Sequence, residues 1–276
     1  MKVIADTASL ISPAQGEYKG INVIPVSVSI NGNTYQDYTQ ISTEQLLNCV
    51  ADGGIPGTSQ PAIGDILDVY DADEEEVLFV TIGDGLSGAY QTAMSARNLS
   101  DKPERIHVIN SKTLAGPLNY LVMKAVALKE QGFDIAKIKS AIETCVESSV
   151  SFVIPEDFEF LKRSGRLAPV AAKIGSTLKL LPVLTQTKDK KGITPLTIKR
   201  SWNSAVEAVI QKLQNIGVGE DYFISVCHAG TPQKAKNILD ILKQRFEKAD
   251  AQVMELSPGL VTHGGPGCIV IQAIRK

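Results

Sequence analysis

Histidine and cysteine are scarce in this sequence of 276 residues. The three histidines, His107, His228 and His263, are far apart, with no HxxxH pair and no Asp/His cluster, so no metal-ligand spacing is present. The four cysteines, Cys49, Cys145, Cys227 and Cys268, form no CxxC pair, which argues against a secreted disulfide scaffold. Cys227 and Cys268 lie within apolar runs, as buried thiols do. Neither sign of charge dominates: 28 Lys and Arg stand against 30 Asp and Glu. The densest basic stretches are Lys188, Lys190 and Lys191, then Lys199 and Arg200, too sparse for the basic face of a nucleic-acid binder. No apolar run approaches the ~20 residues of a membrane span. At the start, Lys2 and Asp6 bracket only a short apolar stretch, not a leader. The absence of a GxxxxGK[ST] loop leaves no visible means of holding ATP. These absences together predict a cytoplasmic protein with no transmembrane segment, no nucleic-acid partner, no metal and no cofactor.

What is present is a hydrophobic fraction of 43%, enough for cores of ordinary size, in a chain long enough for two domains. Lys2–Asp6, 22–30 (despite Pro25), 77–82 and 106–109 read as strands. Helices are expected between them: 43–50 behind the Ser42-Thr43-Glu44-Gln45 capping box, one opening on Pro61, 88–98 after Ser87, 118–131, and one capped by Asp134. Strands alternating with helices predict a parallel sheet with crossover helices. Beyond about residue 150 the pattern changes. A strand at 151–154 and a short helix at 156–162 precede the strands 181–186 and 193–199, joined by Lys188-Asp189-Lys190-Lys191-Gly192 as a hairpin. Helices at 202–216 and 233–246 and strands at 222–226, 252–256 and 268–274 complete the chain. The expected fold is α/β: a parallel-sheet domain over 1–150 and an α+β domain with a mixed or antiparallel sheet over 151–276.

Chemically capable residues concentrate on Gly- and Pro-marked turns. Thr58-Ser59-Gln60-Pro61 places two hydroxyls and an amide beside an expected helix start, where unpaired N–H groups and the helix dipole favour an anion; simple N-capping is the alternative. Ser87-Gly88 repeats the arrangement after an apolar strand, and Gly88 permits close backbone approach. Thr262-His263-Gly264-Gly265-Pro266-Gly267 is the densest small-residue turn, and an imidazole set among glycines can reach a ligand. His107, inside a strand, reads as structural; His228, at a strand end, could serve either purpose. Leu161 to Leu167 gathers Lys162, Arg163 and Arg166 near Gly165, either as a plain helix end or as an anion-contacting edge.

Taken together, Asp6-Thr7, Thr58-Ser59-Gln60-Pro61, Ser87-Gly88-Ala89-Tyr90-Gln91, Leu161 to Leu167, Leu181-Pro182-Val183-Leu184, His228-Ala229 and Thr262 to Gly267 resemble the DegV family of bacterial fatty-acid-binding proteins, nearly end to end. Ala89, where the family often has threonine, and Asn110-Ser111, where it usually has Asp-Ser, depart from the pattern. The resemblance implies a two-domain α/β fold with one fatty acid between the domains. Its carboxylate would be held by Thr58, Ser87 and His263. It further implies a separate fatty acid kinase subunit that supplies ATP and forms the acyl phosphate on the bound ligand. Arg163, Arg166 and Arg200 are candidate contacts for that partner or for the transferring phosphoryl group, because cations there can stabilise its charge. On this reading the chain is a lipid-binding carrier without catalysis of its own.

Two rivals stay open. One is a serine-dependent acyl hydrolase using Ser87 with His263 as base; Gly85-Leu86-Ser87-Gly88-Ala89 misses the GxSxG spacing by one place and no orienting acid is evident. The other is an unrelated small-molecule sensor or interaction module.

Overall fold

The computed structural model describes residues 1–168 and 180–276. The chain opens with β1 (Lys2–Asp6), whose apolar residues are buried on both faces, and a capping box at Ser12 starts α1 (Pro13–Tyr18). The 22–30 segment is not one strand. Pro25 has no N–H to give a ladder, and the chain divides there into β2 (Ile21–Ile24) and β3 (Ser27–Ile30), which join different sheets. β4 (Asn33–Gln36) turns back on β3, and α2 (Thr43–Ala51) follows the Ser42 capping box expected from the sequence. The next segment corrects an expectation. Thr58 and Ser59 belong to a short strand, β5 (Gly57–Ser59), paired antiparallel to β3, and α3 (Ile63–Tyr70) starts beyond Pro61. Then come β6 (Val77–Thr81), α4 (Ala89–Leu99), β7 (Ile106–Asn110), α5 (Ala115–Glu130) and α6 (Ile135–Val146).

The later part contains β8 (Val150–Ile154), α7 (Phe158–Ser164), the hairpin β9 (Leu181–Gln186) and β10 (Ile193–Lys199), and α8 (Trp202–Ile216). β11 (Tyr222–His228), α9 (Pro232–Arg245), β12 (Asp250–Glu255), α10 (Pro258–Gly264) and β13 (Ile269–Arg275) follow. The region around His263 is therefore not only a turn. Ser257 caps α10 by accepting from Leu260 N–H, Pro258 fills its first position, and His263 sits on its last turn.

The protein has an α/β fold. β2-β1-β6-β7 form a wholly parallel sheet, and β10-β9-β8-β13-β11-β12 form a six-stranded sheet that is antiparallel except for the β11–β12 pair. β4-β3-β5 make a small antiparallel sheet that the sequence did not announce. Every residue of β6, Val-Leu-Phe-Val-Thr, is buried, as a strand covered by helices on both faces requires. α5 packs against both large sheets, on β1 and β6 on one side and β11 and β13 on the other. Its start is fixed by Gln272, fully buried on β13. The Gln272 Oε1 accepts from Gly116 N–H at 3.1 Å, and its Nε2 donates to Leu114 O at 3.0 Å and Ser151 Oγ at 2.8 Å.

Candidate functional site

In a parallel sheet, loops leave neighbouring strands at their carboxyl ends, and where two adjacent connections run in opposite directions a crevice opens between them. Here the order β2-β1-β6-β7 sends the chain one way after β1 and the other way after β6. A cleft of about 460 Å³ lies at that point. Ala8 beyond β1 and Ile82, Leu86, Ser87 and Gly88 beyond β6 form one side, while α10 supplies Gly259, Leu260 and His263. β5 brings in Thr58 and Ser59, and the segment after α7 brings in Arg166.

Three residues far apart in the chain meet here. Thr58 Oγ1 and His263 Nε2 are hydrogen-bonded at 2.9 Å, and Ser87 lines the same cleft. The hydroxyl oxygen of Ser87 accepts from Ala89 N–H at 3.2 Å, which ties it to the first turn of α4. A Cβ at Gly88 would stand 1.7 Å from Gln60 Oε1, the far end of an exposed and flexible side chain that lies over this turn. Burial, reinforced by the positive charge of Arg166, pushes the His263 imidazole down to about 4, so it is neutral at neutral pH. Arg166 follows the left-handed Gly165 that ends α7. Its Nε donates to Leu86 O at 3.1 Å and its Nη1 to Ser164 O, which fixes a half-buried guanidinium at the cleft wall. The cleft thus presents the hydroxyls of Thr58 and Ser87, a neutral imidazole, the Arg166 cation and the positive end of α4, a set suited to a carboxylate. His263 Nε2 bonds Thr58 rather than Ser87, so the serine–histidine pair of a hydrolase is not formed.

Behind the polar cleft lies an apolar cavity of about 70 Å³. Ile82, Leu86, Leu260, His263 and Arg166 line both spaces, so the two are contiguous. Leu114, Val153, Leu161, Leu256 and Val270 extend the cavity between the sheets.

The other residues singled out in the sequence lie elsewhere. Arg163 stacks 4.6 Å over the Phe160 ring and lines a separate cleft with Ile55, Glu156 and Thr231. Arg200 is exposed between β10 and α8 and does not line the polar cleft. His107 is half-buried in β7, and His228 is buried at the end of β11 with its Nδ1 unpartnered. Cys227 and Cys268 are fully buried, which pushes both thiols up to about 12. Among the described residues no group of three or more His, Cys, Asp and Glu side chains could hold a metal, and no helix is long and apolar enough to cross a membrane. Two carboxyl groups of this region carry no sequence signal beyond the Asp6-Thr7 motif: Asp6 and Asp37 are both fully buried, and they accept from the N–H groups of the cleft-lining Ala8, Ile82 and Gly259. A short polar segment such as Tyr35-Gln36-Asp37-Tyr38 carries no local signal of burial.

The family model described as "Uncharacterised protein, DegV family" matches residues 1–276. A DegV domain-containing protein of Clostridium acetobutylicum is 28% identical over 98% of this chain and 96% of its own length. Among solved structures, a DegV family protein from Thermus thermophilus, described for its fatty acid binding, has a TM-score of 0.90 at 24% identity, covering 100% of this chain and 99% of its own. DegV from Bacillus subtilis, a fatty acid binding protein, has a TM-score of 0.87 at 24% identity with the same coverage. At this identity the likeness to those structures establishes the fold.

Proposed function

The chain belongs to the DegV family, and on that premise we propose that it binds a long-chain fatty acid with the carboxylate in the polar cleft and the tail directed into the apolar cavity. The observation that carries this reading is the junction of the two spaces. The Thr58–His263 hydrogen bond, Ser87 and Arg166 stand at one end, and an almost wholly apolar lining continues from Ile82, Leu86 and Leu260 at the other. An amphiphile with a single acidic head meets both halves of that requirement. With its proton on Nε2, neutral His263 donates to Thr58 Oγ1, which leaves the Thr58 O–H to donate to the anion. Ser87 adds a second hydroxyl. The names of the Thermus thermophilus and Bacillus subtilis structures point the same way.

The finer reading is a carrier that does no chemistry alone. A separate ATP-dependent fatty acid kinase subunit phosphorylates the presented carboxylate in the cytoplasm. Arg166 is the arginine best placed to meet the incoming phosphoryl group, because it also lines a neighbouring cleft with Lys188 and Lys191. Arg163 and Arg200 are then outlying contacts for the partner. The ligand lies between two domains divided near residue 150.

Organic extraction of the purified protein followed by mass spectrometry tests the ligand, and a long-chain fatty acid is expected. Thr58→Val keeps the β-branched shape that β5 accommodates and removes the hydroxyl. Loss of a hydrogen bond to a charged group is worth about 1.5–3 kcal/mol, so affinity should drop about tenfold or more. An empty protein that takes up no added fatty acid, or wild-type affinity in Thr58→Val, overturns the assignment. Acyl-phosphate formation should need an added kinase subunit; formation from ATP by this chain alone overturns the carrier reading.

A further inference from the structure

Two buried carboxyl groups stand behind the wall of the polar cleft. Asp6, at the carboxyl end of β1, accepts from Ala8 N–H at 3.0 Å through Oδ1 and from Ile82 N–H at 2.8 Å through Oδ2. Asp37, just after β4, accepts from Gly259 N–H at 3.3 Å through Oδ1, while its Oδ2 is buried without a hydrogen-bond partner. The hydroxyls of Thr7 and Ser257 and the Tyr38 amide stand close enough to favour the charged form of Asp37. Thr7 Oγ1 in turn accepts from Val26 N–H at 3.2 Å. Ala8, Val26, Ile82, Ser257 and Gly259 all line the cleft. The pair therefore ties together four segments of the cleft wall: the turn after β1, the β2–β3 link, the turn after β6 and the start of α10.

Among the described residues no positive charge acts on either carboxyl group, and the charge of Asp37 adds to the rise of Asp6, a repulsion the two groups share. Around them, the Tyr38 hydroxyl is raised by burial and then by Asp37 and Glu255, and Glu255 on β12 is itself raised by burial. Cys227 is pushed up to about 12, and His263 on α10 is down at about 4. None of these gains a positive charge in the neutral range. Burial raises Asp6 to about 7 and Asp37 to about 6, against the opposing pull of their amide donors. Between those values the pair holds about one proton.

We infer that Asp6 and Asp37 are positioning residues that couple carboxylate binding to a proton: sharing one proton they hold the cleft wall, and losing it they place a further negative charge behind the anion site. This inference rests on the carboxylate reading above. A buried charge bonded to the N–H groups of the cleft-lining Ala8, Ile82 and Gly259 acts through a low effective dielectric, so the repulsion is felt by the ligand's head. By reciprocity, the bound anion tightens the pair's hold on its proton by the same factor.

Affinity for dodecanoate, and for dodecanol as an uncharged probe with the same tail, is measured from about pH 5.5 to about pH 8, a range over which an alkanoate stays ionised much as a glutamate side chain does. Dodecanoate affinity should fall about tenfold or more across the range, one pKa unit of coupling being a factor of ten, while dodecanol affinity stays level. Asp37→Asn should make the dodecanoate profile shallower, leaving only the titration of Asp6. Its amide oxygen still accepts from Gly259 N–H, and its NH₂ can donate to the Thr7 or Ser257 hydroxyl. If that variant does not fold, calorimetry of the wild type in two buffers of different ionisation enthalpy counts the protons taken up per dodecanoate near neutral pH. Equal slopes in wild type and Asp37→Asn, a dodecanol profile as steep as that of dodecanoate, or no proton uptake each overturns the inference while leaving fatty-acid binding intact. Binding of dodecanol with no dodecanoate bound at any pH brings down the carboxylate reading, and this inference with it.

Discussion

His263 shows at the scale of one residue how the cleft combines a polar task with burial. Its ring is held down from 6.5 to about 4, first by burial and then by the charge on Arg166. Between those values the unfolded chain binds a proton that the folded protein refuses. The stability gained by keeping the ring neutral is complete above 6.5 and is lost as pH falls through that window. At about 1.4 kcal/mol per pKa unit the effect reaches about 3 kcal/mol at most. His263→Gln removes the titration and keeps a polar side chain. Its urea midpoint should therefore decline less than that of the wild type between pH 6.5 and 4. Parallel declines would mean the ring is not desolvated in solution. Asp6 and Asp37 act with the opposite sign. Their pKa values are raised, so the stability they add is complete below 3.8 and is lost as pH rises to about 7.

Among the elements, α5 depends most on side chains from a distant strand. Its first turn begins at Ala115 with a left-handed φ of 53°, and Gln272 from β13 satisfies Gly116 N–H and Leu114 O at that point. Gln272→Leu would leave those two groups and Ser151 Oγ buried without their partner, each costing about 1–3 kcal/mol. A drop of several kcal/mol in unfolding free energy is expected from urea titration, and a change below 1 kcal/mol would show that water reaches the turn. The same dependence on distant partners explains which elements could be read from the sequence. The apolar runs of β1, β6 and β13, the Ser42 capping box and the β9–β10 hairpin carry their own local signals, and the structure has them within a residue or two of where the sequence puts them. β5 is three residues long and exists only because β3 lies beside it, so the sequence places Thr58 beside a helix start and not on a strand. Pro25 is legible as a breaker, but the β-branched run around it reads as one continuous strand. α10 had a signal in Ser257-Pro258, outweighed by the glycines that follow. Thr58, Ser87 and His263 were picked out as a motif set. That they share one cleft, with Arg166 and without Arg163 or Arg200, is a matter of topology that spacing along the chain does not encode.

For the molecule as a whole, the decisive feature is that one apolar cluster crosses from sheet to sheet. It runs from Val3 and Ala5 on β1 through Leu118, Leu121 and Val122 on α5 to Cys227 on β11 and Val270 on β13. Layers that share a core melt together, so calorimetry should show a single transition, and two resolved transitions would contradict the continuity of that core. A ligand seated in the cleft and cavity binds only the folded form. At about a hundred times its Kd it adds about 2.7 kcal/mol, which for a chain of this size raises Tm by about 5–10 °C. The cavity itself, at about 70 Å³, is far below the ~300 Å³ at which ligand pockets begin. On the proposed reading, an acyl tail would enter only as lining side chains such as Leu86, Leu161 and Leu260 swing aside, and would depart only when they do so again. Exchange would then be governed by the slow breathing of packed side chains and not by diffusion, which would give an occupant a long residence time and favour handing it over in place rather than releasing it to water.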